Sequence, residues 1–261
     1  MEARWVGDWS SRPADHRYYG TNRRLRLCVG ALCVIVVLLA LSLAPFAQKA
    51  EAYVAYSWGG ESKIPTYEQG VQATFNTVNP TVATDSAVAY FVSVEFTDGS
   101  WLQVGYLKGS YLATPHGGSY QATVPTVYVE YNGGGGAMVS TYQTLAVGTT
   151  HSYMIKRTGS DVYGHWIWSA YVDGVLKLSR AFMVAENAAE ILAEGESHDT
   201  SDSSTSHVYF TSLQQYEITY PRRGAVIQKW HPWDGYSDIL CGSFAGWNIV
   251  PGANSFEVWM T

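Results

Sequence analysis

Cysteine is almost missing from this chain: three occur in 261 residues, and only Cys241 lies beyond the N-terminal fifth. No intrachain disulfide can form in residues 53–261, so that part must be held together by burial and hydrogen bonding alone. Basic residues are also scarce there, with nine Lys and Arg against eighteen Asp and Glu. This balance excludes the phosphate-neutralising surface that nucleic-acid binding needs. The seven histidines are scattered, without an HExxH pair or cysteine partners, so no metal site is expected. Neither a phosphate-binding loop nor a GxGxxG turn occurs, and no cofactor is expected. Amphipathic helical periodicity is nearly absent as well.

The N-terminus does hold one long apolar run. Leu27 to Ala47 is nearly unbroken hydrophobic sequence, preceded by Arg23, Arg24 and Arg26. Its length could span a bilayer as a helix, while Pro45 and the small residues up to Ala52 resemble the end of a signal peptide. The six arginines before the run place residues 1–26 in the cytoplasm. Residues 27–52 are therefore expected to be a signal peptide or transmembrane anchor, and residues 53–261 a single secreted or cell-surface domain. Leu32 before Cys33 lacks the small residue a lipidation site requires.

Residues 53–261 consist of short alternating or β-branched runs separated by turn residues, the pattern of an all-β sandwich. Strands are expected at 53–58, 70–77, 87–96, 100–108, 125–131, 137–143, 151–157, 164–173, 176–183, 188–194, 207–218 and 255–260. Asp98-Gly99 and Asp173-Gly174 read as two-residue hairpin turns. Gly133 to Gly136 and the polar SHDTSDSSTSH run read as mobile loops, and residues 221–254 as an irregular, aromatic-rich excursion.

Period-two alternation then sorts each strand into two faces. In WLQVGY, Leu102, Val104 and Tyr106 oppose Trp101, Gln103 and Gly105; in AYFVSVEF, Val92, Val94 and Phe96 oppose Phe91, Ser93 and Glu95. In VYVEY, Val127, Val129 and Tyr131 oppose Tyr128 and Glu130; in AAEILAE, Ile191 and Ala193 oppose Glu190, Leu192 and Glu194. If these strands share a sheet, one face is apolar and the other lines a groove with aromatic, amide and carboxylate groups. A solvated face is the ordinary reading of any one strand. Aromatic rings outside a core and mutually repelling carboxylates together point to a ligand.

The order of YSWGG (56–60), QGVQATFNTVNPTV (69–82), AYFVSVEF (89–96), WLQVGY (101–106), VYVEYN (127–132), AEILAE (189–194) and FTSLQQYEI (210–218) resembles the glutamic peptidases of the eqolisin type. The resemblance implies a two-sheet antiparallel concanavalin A-like sandwich, or jelly roll, with the active groove on its concave face. It implies that Gln103 is the catalytic glutamine and Glu190 the catalytic glutamate, with Glu194 and Glu196 sharing its strand parity. Glu130 and Glu95 match further acidic positions, and Trp58 matches the family's WxG segment. The implied chemistry is hydrolysis of peptide bonds at acidic pH: a carboxylate activates water and the Gln amide stabilises the oxyanion. Trp101, Tyr128, Glu130, Glu95 and Trp58 would then bind substrate. The sequence departs from the family at Phe91, Ser93, Phe96 and Ile191, and lacks its disulfide cysteines.

Glycan binding on the same architecture is the alternative, with Trp101, Tyr128, Trp166 and Trp168 available to stack on sugar rings. The paired-acid strand of the lectin-like glycanases is missing, which argues against glycan hydrolysis. The expected partner is a polypeptide or a glycan, and the expected state a monomer. Asp199 and Asp202 have no spacing that selects calcium.

Overall fold

A computed structural model describes residues 57–63, 68–113, 118–133, 137–183, 187–219, 227–233, 238–241 and 246–261. The predicted N-terminal hydrophobic helix, residues 53–56 of the first expected strand and Gly134 to Gly136 lie outside them. Among the described residues there is no helix, and none that could cross a membrane as one. The described residues form fifteen strands: β1 (Ser57–Lys63), β2 (Glu68–Asn76), β3 (Ala87–Glu95), β4 (Trp101–Ala113), β5 (Gly118–Asn132), β6 (Ala137–Thr144), β7 (Thr150–Ser160), β8 (Trp166–Val172), β9 (Val175–Phe182), β10 (Glu190–Ser197), β11 (Ser204–Thr219), β12 (Ile227–Pro232), β13 (Asp238–Cys241), β14 (Trp247–Gly252) and β15 (Ser255–Met260).

All pairings between strands are antiparallel. One sheet runs β13-β1-β10-β3-β4-β5-β6 and the other β14-β15-β11-β2-β7-β8-β9, with β12 alongside β11. The AEILAE segment is the strand β10, inserted between β1 and β3 by a crossover. The protein is thus an all-β sandwich of two antiparallel sheets. Its core takes the predicted apolar faces: Val92, Val94, Leu102, Val104, Tyr106, Val127, Val129, Ile191 and Ala193 from the first sheet meet Val71, Phe75, Tyr153, Ile155 and Phe210 from the second. Phe75 stacks on Tyr153 with ring centroids 4.1 Å apart, and Trp168 packs on Phe96 at 5.0 Å. Each large buried side chain contributes about 1.5–3 kcal/mol of transfer free energy, and interlocking rings add to it.

The paired glycines of YSWGG and AEGES have a packing role. Gly59 lies opposite Gly195 across β1 and β10, and the Trp247 indole rests on both, so that a Cβ at Gly59 would come 2.9 Å from Trp247 and one at Gly195 2.6 Å. The ring also meets Tyr90 edge-on at 6.0 Å.

Three expectations need correction. The stretch 221–254 is not simply irregular, since β12, β13 and β14 lie within it. The SHDTSDSSTSH run is anchored: Asp202 is buried and accepts from Ala83 N at 2.7 Å, Ser86 Oγ at 2.6 Å and Ser197 Oγ at 2.8 Å. Asp173 and Gly174, both at positive φ, do form the predicted two-residue turn between Val172 and Val175. The other hairpin has a three-residue loop instead, because Phe96 N bonds Ser100 O and only Gly99 of the loop has positive φ.

Candidate active site

The outer face of the first sheet carries the groove residues in register. One row reads Leu192, Ser93, Gln103, Glu130 and Val139 across β10, β3, β4, β5 and β6. The next row on one side holds Glu190, Glu95, Trp101 and Asn132, and the next on the other holds Glu194, Phe91, Gly105 and Tyr128. Gln103, Glu190, Glu194, Trp101, Tyr128, Glu130 and Glu95 therefore all belong to one face of one sheet. Trp58 sits on the same face of β1, opposite Glu196, and its side chain lies outside the described residues.

Gln103 is held by its neighbours on β5. Its Nε2 donates to Glu130 Oε2 and to Tyr128 Oη, each at 3.0 Å. Glu130 is 1% exposed and Gln103 9%. A carboxylate can only accept, so the pairing fixes which end of the amide faces Glu130. Tyr128 is itself buried, in a small apolar cluster with Ala89, Phe91, Leu107 and Ala122, separate from the main core. That cluster forms because the β4–β5 hairpin continues past the body of the sheet and shifts register between Leu107 and Gly109. Gly109 has φ 118°, and a Cβ there would meet Ser86 O at 2.2 Å, so only glycine makes this bend. The glutamine thus sits between an apolar floor on one side and carboxylates on the other.

The carboxylates depress one another's ionisation. Glu194 holds its proton well above the usual carboxylate range, first because burial penalises the charged form and then because Glu196, Glu95 and Glu190 repel it. Glu95, on the neighbouring strand, is also raised, by partial desolvation and then by Glu190. Glu196 is engaged separately, with Oε1 3.2 Å from His198 Nε2. Glu190 and Glu194 are four residues apart on one strand, about 13 Å, so a single water cannot bridge them. Gln103 lies two strands across and two residues along from each, a backbone separation of about 12 Å. The Gln103 amide points toward β5, to Glu130 and Tyr128, so it has to swing toward β10 to share a water with either carboxylate.

The sequence reading missed two features. The Tyr128–Gln103–Glu130 hydrogen bonds depend on β4 pairing with β5 in this register, which the two strands separately do not reveal. Glu61 is a third raised carboxyl, pushed up to about 7 by burial. It lies on the opposite face of β1, beside Lys63, whose ammonium donates to Gln215 and lies 3.9 Å from Glu68. Of the aromatic residues offered for sugar stacking, Trp168 is fully buried in the core and Tyr128 is buried too, while Trp166 lies against the Arg157 guanidinium at 4.2 Å. Among the described residues no cluster of His, Cys, Asp and Glu has metal-binding geometry.

No family model and no curated protein matches this sequence. Solved structures do resemble the fold. Scytalido-glutamic peptidase with a transition-state analogue inhibitor aligns over 80% of this chain and 100% of its own, with 14% identity and a TM-score of 0.50. SCP-B, an eqolisin-family peptidase bound to the tripeptide Ala-Ile-His, aligns over 80% and 100%, with 12% identity and a TM-score of 0.46. The β-glucanase of Bacillus licheniformis aligns over 52% of this chain and 56% of its own, with 12% identity and a TM-score of 0.32. At 14% identity and a TM-score of 0.50, the likeness to scytalido-glutamic peptidase is one of fold alone.

Proposed function

We propose that the domain hydrolyses peptide bonds on the outer face of its first sheet, outside the cytoplasm. Gln103 is the polarising group and Glu190 the general base. Supporting this reading is the common face shared by Gln103, Glu190 and Glu194, with the Gln103 amide oriented by buried Glu130. Glu190 takes a proton from water as the water attacks the scissile carbonyl, and a Gln103 N–H donates to the oxyanion. Both Nε2 hydrogens are engaged in the resting site, so the substrate oxygen displaces one acceptor. Tyr128 is the one that yields, since its neutral hydroxyl is the weaker acceptor and can turn away. Glu194, protonated well above the usual range, supplies a proton to the departing amine rather than acting as a base.

Trp101 and Glu95 share the row that holds Glu190, and there they contact the substrate chain. The half-exposed Trp101 also favours the second reading, a non-catalytic glycan-binding face. Digestion of a denatured protein by the full chain, kept in mild detergent, tests the proposal. Cleavage that is lost in Gln103→Ala and in Glu190→Gln supports it, and undiminished cleavage in either variant overturns the assignment.

A further inference from the structure

The second sheet carries a site of opposite character on its own outer face. Ile155 and Ala170 point into the core, which turns Lys156 and Tyr171 of the same strands outward. Around them lies a cavity of about 330 Å³ lined by Lys156, Arg157, Trp166, Tyr171, Tyr216 and Gln228, with Thr158, Gly159 and Ile218 completing it. No Asp or Glu lines it, although the domain holds twice as many acidic as basic residues. The charge here is built rather than incidental. Lys156 Nζ sits 5.7 Å from the ring centroids of both Tyr171 and Tyr216, and the Arg157 guanidinium stacks on Trp166.

The surrounding sequence keeps that arrangement open and rigid. Gly70 is the residue opposite Lys156 on β2, and a Cβ there would come 2.9 Å from the Lys156 Cβ. Tyr216 is fixed from behind by Trp230 at 4.9 Å and by its hydroxyl donating to Gln228 Oε1 at 2.9 Å. Lys156 between two tyrosine rings, with the buried Arg157 stacked on Trp166 beside it and hydroxyl and amide groups at the rim, selects a ligand that combines a flat C–H face, an anion and hydroxyls. A uronic-acid sugar has all three: its ring face packs on Tyr or Trp, its carboxylate meets Lys156, with the buried Arg157 adding positive charge beside it, and its hydroxyls meet Thr158 and Gln228. The volume lies at the small end of ligand pockets, suited to one or two sugar rings.

We propose that this cavity binds acidic saccharides built from uronic acids, independently of the Gln103 face. The test is calorimetric titration of the full-length chain, in mild detergent, with oligomers of galacturonate, of mannuronate and of the glucuronate-containing hyaluronan repeat, beside neutral maltotetraose. At least one acidic oligomer is expected to bind at least about tenfold more tightly than the neutral one and to weaken with added salt. Lys156→Gln and Tyr171→Ala should each weaken it about tenfold or more, with Lys156→Arg restoring binding and Gln103→Ala leaving it unchanged. Melting curves that match the parent show that the variants are folded. The proposal is overturned if all three acidic oligomers fail to bind, if Lys156→Gln binds as the parent does, if Gln103→Ala abolishes binding, or if polyglutamate competes as well as the sugars.

Discussion

Replacing Asp202 with Ala removes one carboxylate that fastens three segments at once. Its oxygens accept from the Ala83 amide at 2.7 Å, the Ser86 hydroxyl at 2.6 Å and the Ser197 hydroxyl at 2.8 Å, and Asp202 is 5% exposed. Hydrogen bonds to a charged acceptor contribute about 1.5–3 kcal/mol each, but they are not additive, and donors left buried cost about 1–3 kcal/mol. Ser197 keeps a bond to Asp199 O at 2.9 Å and loses least. The sum is about 3–5 kcal/mol, a large share of the 5–15 kcal/mol that holds a domain folded. For a domain of this size that lowers the melting temperature by about 10 °C. Asp202→Asn keeps an acceptor oxygen in place and should lose about half as much. Calorimetry or urea unfolding reads both, and a shift below about 3 °C for Asp202→Ala would refute the view that this polar run is a structural clamp.

Gly105→Ala should destabilise by about 3 kcal/mol or more in urea unfolding, because its Cβ would lie 1.9 Å from Tyr90 O and 2.7 Å from the Phe91 Cα, where only backbone could yield. Stability should also depend on pH in a definite direction. Glu61 and Glu194 have folded pKa values raised above their unfolded ones, so their contribution is complete below about pH 4.5 and is lost as pH rises, through about 7 for Glu61, with Glu194 acting in the same direction. The midpoint of urea unfolding should therefore fall between pH 4.5 and 7.5, with a slope of at most about 1.4 kcal/mol per pH unit for each group. Glu61→Gln and Glu194→Gln should each flatten that fall, and a slope unchanged in both variants would contradict the burial assigned to these carboxyls.

The strands with strict alternation were legible in the sequence, and their apolar faces are the faces that meet in the core. What stayed hidden has a physical cause in each case. The bend of the β4–β5 hairpin is signalled only by Gly109, which reads as a strand end until its tight approach to Ser86 is seen. β12 and β14 contain or adjoin Pro232, Pro251 and several glycines, which ordinarily mark irregular chain. The SHDTSDSSTSH run looks solvated because two of the three donors that hold its Asp202, on Ala83 and Ser86, lie far away in the sequence. Face assignments for Gln103, Glu130 and Glu190 needed only parity. Which strands lie side by side was not written in any one of them, since β10 reaches β3 through a crossover. The cationic pocket was hidden for the same reason, because Lys156, Tyr171 and Tyr216 come from three strands.

The central claim is that the Gln103 face carries out hydrolysis, and the most direct measurement is digestion of a denatured protein by the full chain from acidic to neutral pH, beside Gln103→Ala, Glu190→Gln and Glu194→Gln. The account predicts acid-favoured cleavage that disappears in the first two variants and is reduced in the third. Absence of cleavage at every pH by a chain whose melting curve shows it folded, or cleavage that survives Gln103→Ala, would contradict it.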